Sequence, residues 1–219
     1  MIFIPIALLI FLLFILFLPI LLALAYFHII TLSFEGLGIS SGVTIFLLFL
    51  ILIGSCINIP LTRKKLVYST RARFFGLFRV PQVEIQGVAI NLGGGLLPIL
   101  LSFYFLFLLW KQGVELAPVL VAVFFMIILT KFLARVVPGR GITLPFFIPP
   151  IFSAIFALIL APEFAAPTAF VAGVLGTLIG ADMLNLRKAR KYGGYLSIGG
   201  AGVFDGIFLV GIVSTLLVG

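Results

Sequence analysis

The sequence predicts an all-α polytopic membrane protein. Seven transmembrane helices run from a cytoplasmic amino terminus to a carboxyl terminus outside, with a small cytoplasmic β-hairpin as one reading of the link between the second and third. Three observations carry this. The 219 residues are 63% hydrophobic and only 9% charged, with a mean hydropathy of +1.42, whereas a soluble domain carries about a quarter charged residues. The apolar residues gather into seven runs of about bilayer length. Basic residues fall almost entirely in alternate links between those runs. The runs are apolar all round, not alternating, which selects helices over the strands of a closed barrel. No stretch remains for a separate soluble domain, so residues 1–219 read as one integral membrane unit.

Taken in order, the expected spans are 3–30, 43–61, 93–110, 117–137, 143–161, 165–186 and 197–218. The first run is far longer than the apolar core of a signal peptide and lacks a basic leader and a small-residue cleavage pattern, so it reads as a retained helix. Gly36, Gly38, Ser40, Ser41 and Gly42 make the first turn. Residues 111–113 separate the third span from the fourth, and Pro138-Gly139-Arg140-Gly141 the fourth from the fifth. Ala161-Pro162 opens a very short link before the sixth.

Seven helices place alternate links on one side. That side collects Arg63, Lys64, Lys65, Arg71, Arg73 and Arg79, then Lys131, Arg135 and Arg140, then Arg187, Lys188, Arg190 and Lys191, thirteen of the fourteen basic residues. The other side holds Lys111 with Glu35, Glu115 and Glu163. Positive links stay in the cytoplasm, which sets the orientation. The net charge of +8 is therefore a topology signal. Binding to nucleic acid is the poorer reading, because the basic residues are spread beside membrane ends; anionic lipid headgroups fit them better as partners.

The cytoplasmic loop 62–92 is unlike the rest. Residues 66–74 and 83–92 partly alternate apolar with polar or small side chains, the period of a strand, and Gly76 and Pro81 serve as turn material. A β-hairpin at the membrane surface fits. So does an interfacial helix with Phe74, Phe75, Leu77 and Phe78 in lipid.

Other chemistries find little support. The single cysteine, Cys56, reads as a small buried hydrophobe within an apolar run. The single histidine, His28, reads as an interfacial or packed imidazole, so neither a metal site nor a cofactor is expected. There is no His-Glu-x-x-His for a metalloprotease and no Ser/His pairing for a serine site.

Two aspartates, Asp182 and Asp205, stand in otherwise apolar spans. A carboxylate in hydrocarbon costs roughly 2.5–3.5 kcal/mol even on lenient scales, so it marks a functional site by default. Asp182 lies five residues before Arg187, roughly 7 Å inside its basic flank at about 1.5 Å per residue. Asp205 lies at similar depth if the seventh helix begins near Ser197. The two antiparallel helices of the 165–218 pair can therefore bring both carboxyls together. Asn185, one turn from Asp182, could orient it. The glycine stripe at 173, 176 and 180 points away from Asp182 and suits close packing on a third helix. Two carboxyls about 3 Å apart share a proton, so one can activate water while the other protonates a carbonyl.

With these residues in place, the chain resembles the presenilin and signal-peptide-peptidase group of intramembrane aspartyl proteases, and the type IV prepilin peptidases that share such a site. The group's Gly-x-Gly-Asp motif corresponds here to Gly202-Val203-Phe204-Asp205, with Phe204 in place of the second glycine. The first aspartate stands in Gly180-Ala181-Asp182, and Asp205 is followed by Gly206. The Pro-Ala-Leu motif is missing. The chain is also similar to prokaryotic membrane families to which no function is attached. The resemblance covers about 165–211 and implies hydrolysis of membrane-embedded or membrane-adjacent peptides by Asp182 and Asp205, with Gly202, Gly206 and Asn185 in support. The hairpin would then lie on the catalytic side, where it could pair with an extended substrate.

Two other readings stay open. Intramembrane carboxylates also serve proton- or cation-coupled transport, with Gly93–Gly95 beside Asn91 and residues 199–202 as candidate helix breaks. A non-catalytic protein, with Asp182 paired to Arg187 or Lys188, is the second.

Overall fold

In the computed structural model the described residues are 38–63, 65–73, 78–137, 141–145, 147–192 and 194–200, with isolated positions at 15–18, 24, 28, 31–32, 35, 213 and 216. The first helix with continuous description, α1 (Ser41–Ser55), starts where Ser40 turns extended and its carbonyl accepts from Thr44 N and Thr44 Oγ1. It ends at a turn, and the chain leaves as strand β1 (Asn58–Pro60). Strands β2 (Lys65–Arg73) and β3 (Phe78–Asn91) follow. A π-helical turn, Leu92–Leu96, leads directly into α2 (Leu97–Lys111). Gly113, at φ +78°, closes that helix, and α3 (Ala117–Leu133) begins with a proline in its first turn. Proline is tolerated there because that N–H has no helical acceptor.

A short ladder, β4 (Arg135–Val137) with β5 (Gly141–Thr143), joins α3 to α4 (Ile148–Leu160). The last helical stretch is continuous from Pro162 to Arg190. It comprises a 3-10 turn, α5 (Ala165–Thr177), a second π segment at Leu178–Met183, and α6 (Leu184–Arg190). Strand β6 (Tyr195–Ile198) comes next.

The loop 62–92 is a hairpin, not an interfacial helix. β2 and β3 pair antiparallel from Lys65↔Gln86 to Arg73↔Phe78. Alternation gave the right period because successive side chains of a strand point to opposite faces. Pro81 is not turn material: it stands inside β3 opposite Thr70. Over 78–86 β3 pairs with β2 alone among the described residues, which leaves an edge where a residue without an N–H is tolerated. β1 pairs with the carboxyl end of β3, Asn58↔Asn91. β6 runs parallel to β3 over 87–90. A parallel pair needs a crossover, and here the chain from Leu92 to Arg190, with α2 to α6, supplies it.

The expected all-α class is thus corrected to a mostly helical protein with a small four-stranded sheet and a two-stranded ladder. Among the described residues two helices are long and apolar enough to cross a membrane, Leu92–Lys111 and Pro162–Arg190. Three further apolar helices, Ser41–Ser55, Ala117–Leu133 and Ile148–Leu160, are shorter. Strands account for the trimmed spans: the run 43–61 is helical only to Ser55, and 117–137 only to Leu133. The run 197–218 begins as strand and turn, and beyond residue 200 it lies outside the described residues apart from 213 and 216.

The core sits around α5, most of which is buried. Phe105 of α2 meets Phe170 of α5 edge-on at 5.2 Å, the preferred arrangement for two ring quadrupoles. Gly176 and Gly180 let α3 approach so closely that an added Cβ would collide with Met126 and with Thr130 and Ile127. The expected third helix for that stripe is α3. Thr130 Oγ1 reinforces the contact, reaching Gly176 O at 2.9 Å. Outward faces carry large apolar side chains, with Phe132 82% and Ile159 70% exposed. Small residues at the α3–α5 contact and large apolar side chains on outward faces are features shared with helices packed in lipid.

Every strand attaches to the same end of the helices. The other end gathers Gly38, Gln112 and Glu163 around one pocket. Cys56, at the strand-bearing end, is exposed; it is not the buried hydrophobe expected, because α1 ends just before it. His28 is helical and exposed.

Candidate functional site at the sheet–helix junction

Asp182 lies in the second π segment, where the wider ladder interrupts α-helical regularity inside an apolar helix. Single π turns of this kind are frequent at functional sites. Its carboxylate is half-buried, and Oδ2 accepts from Gly199 N at 3.2 Å. That contact ties the turn after β6 to the long helix.

Gly199 has φ +64°, a region that residues with a Cβ rarely adopt. A Cβ there would stand 2.6 Å from Gly95 N and 2.7 Å from Gly94 O. The turn is therefore wedged between Asp182 on one side and the glycines of the first π segment on the other.

That first segment is held by Asn91, fully buried. Asn91 Oδ1 accepts from Gly94 N at 2.8 Å, capping the helix start. Its amide donates to Ser55 O at 2.7 Å and to Asn58 Oδ1 at 3.2 Å. Ser197 Oγ donates to the same Asn58 oxygen. One polar chain thus links α1, β1, β3 and β6 and ends two residues before Asp182's partner, Gly199. Gly93 packs against the carboxyl end of α1, where any side chain would strike Ile51 O.

Asn185 does not orient Asp182. Its amide donates to Ala181 O at 2.9 Å and Gly180 O at 3.3 Å, and its Oδ1 accepts from Lys131 Nζ at 2.9 Å. Lys131 also donates to Leu184 O at 2.7 Å. These bonds serve carbonyls around the π-to-α transition and lock α3 to α6. An ionised carboxylate only accepts hydrogen bonds, so with both amide hydrogens committed Asn185 has none to offer it.

Asp205, Gly202 and Gly206 lie outside the described residues. The site therefore consists here of Asp182, the Gly199 turn and the Asn58–Asn91–Ser197 network. Sequence reading did not find the network, because its members stand apart along the chain and only sheet register brings them together. Isolated polar residues between apolar runs were the available signal. Among the described residues no group of three or more His, Cys, Asp or Glu side chains gathers.

A family model described as "Protein of unknown function (DUF1614)" matches residues 52–217. The chain belongs to the DUF1614 family. The matched stretch of this DUF1614 member includes the hairpin, both π segments, Asp182 and Asp205. No curated protein and no solved structure matches the chain.

Proposed function

We propose that this DUF1614 protein is a multi-pass cell-membrane protein of seven spans, cytoplasmic at its amino terminus, that hydrolyses peptide bonds of membrane-embedded or membrane-adjacent substrates with Asp182 and Asp205. The observation that carries the reading is the Asp182–Gly199 hydrogen bond. It brings the carboxylate to the start of the segment that bears Asp205, six residues on. In the proposed reaction the ionised aspartate takes a proton from water as its oxygen adds to the scissile carbonyl carbon. The protonated partner gives its proton to the carbonyl oxygen. As the diol collapses and the C–N bond breaks, the aspartate that took the proton from water delivers it to the leaving amine. The other aspartate takes back a proton from a diol hydroxyl, which restores the shared proton. The arrangement of β6 beside β3, with Ser197 in the polar network, supports placing an extended substrate at this sheet. Basic residues near the strand-bearing end, among them Arg63 and Arg190, support a cytoplasmic site.

The test combines proximity and activity. With Cys56 replaced by serine, cysteines at 182 and 205 should bridge in native membranes under mild oxidant, which requires Cβ atoms about 3.5–4.5 Å apart. A reporter transmembrane peptide should be cleaved by the parent protein and by neither Asp182→Ala nor Asp205→Ala. Folded protein that neither crosslinks nor loses cleavage on these changes would overturn the reading.

Cation-coupled transport is the second reading, favoured by the π turn over Gly93–Gly95 beside Asn91. It expects sodium- or pH-driven flux in proteoliposomes that Asp182→Asn abolishes, without peptide cleavage.

A further inference from the structure

A pocket of about 360 Å³ opens on the strand-bearing end, lined by Thr62, Arg63, Gln86, Gly87, Arg190 and Gly194. Among the described residues its charged lining is Arg63 and Arg190, which come from distant parts of the chain. Arg63 stands in the link between β1 and β2, and Arg190 is the last residue of α6. Two guanidinium groups at one opening suit a phosphate, which they can grip bidentately. Thr62 and Gln86 add polar groups, Gly194 opens onto free space, and Gly87 lies against the Tyr195 ring, which walls that side. Thr62 Oγ1 already accepts from Val88 N at 2.9 Å, which fixes that wall.

Location decides the source of the phosphate. The long apolar helix ends at Arg190, so the pocket lies where that helix would leave a bilayer. Leu61, Leu66 and Tyr192, neighbours of the lining residues, are exposed. Exposed leucines and a tyrosine beside arginines are the makeup of a membrane interface. We propose that this pocket binds the phosphodiester headgroup of an anionic phospholipid between Arg63 and Arg190, with the acyl chains leaving over Leu61 and Leu66. The proposal requires nothing of the aspartates.

The experiment is native mass spectrometry of delipidated full-length protein in detergent, titrated with phosphatidylglycerol, phosphatidylcholine or inorganic phosphate. A basic residue at an anionic surface contributes about 1 kcal/mol, so Arg63→Gln and Arg190→Gln should each weaken phosphatidylglycerol binding about fivefold and together about 25-fold. Arg187→Gln is the control, since Arg187 is exposed on the same helix and does not line the pocket. Unchanged melting curves confirm that the variants fold. Equal loss with Arg187→Gln would show diffuse attraction and overturn the pocket. Phosphatidylglycerol binding that ignores both pocket arginines would do the same. Inorganic phosphate competing at equimolar concentration would overturn the lipid assignment.

Discussion

Replacing Gly199 with alanine tests the wedge that positions Asp182. Two costs add. At φ +64° a residue with a Cβ loses roughly 1–2 kcal/mol to crowding with its own backbone. The new methyl would also stand 2.6 Å from Gly95 N, well inside van der Waals contact, and its neighbours there are backbone atoms that cannot rotate away. Overpacking of that kind costs typically 1–3 kcal/mol. The sum is about 2–5 kcal/mol, a large share of a typical domain's stability. Gly194 supplies the internal control. It too has positive φ, +89°, but an added Cβ meets nothing within 4 Å, so Gly194→Ala should cost only the backbone part. Reversible denaturant titration of both variants in mixed micelles measures the difference, expected at about 1–3 kcal/mol. Equal destabilisation would refute the contact between Gly199 and the Gly94–Gly95 backbone, and with it the placement of the turn against Asp182.

Asp182→Ala removes the acceptor for Gly199 N and should cost about 1–3 kcal/mol, as for a donor left unpaired. Asp182→Asn keeps an acceptor oxygen and should recover most of that stability in the same titration, while peptide cleavage stays lost. Asn91→Ala deletes the cap on Gly94 and the donor to Ser55 O; about 2–3 kcal/mol is expected, with faster amide exchange over 92–96. Phe105→Ala should cost about 3–5 kcal/mol, since the ring is 1% exposed. Phe132→Ala, at 82% exposure, should stay within about 0.5 kcal/mol; similar losses at both would mean that the packing described around Phe170 is wrong.

Patterns that repeat along the chain were legible. The apolar helices appear where long runs stand, and the hairpin where residues alternate. The glycine stripe meets a third helix, as its direction on the wheel required. Less legible were places where one residue does a job set by a distant neighbour. Arg135 to Val137 read as the end of a helix and Gly141 as part of the break before the next, because three-residue strands are too short to show a period. Tyr195 to Ile198 read as the approach to a helix, since nothing local announces a parallel partner more than a hundred residues earlier. Asn185 lay on the right face for Asp182 yet bonds elsewhere, because a π turn changes which carbonyls need donors. Cys56 looked buried by its neighbours' character, but α1 stops one residue sooner.

The sequence by itself determined the apolar nature of this chain, through its composition, and the runs that form helices and the links that hold the basic residues, through their order, because solvation acts on each residue locally. Only the tertiary structure decided that Asp182 meets the turn at Gly199, that Asn91 gathers four elements, and that Arg63 and Arg190 share a pocket. Those are long-range contacts, set by sheet register and by backbones close enough to exclude a single methyl group, and no average over the sequence contains them.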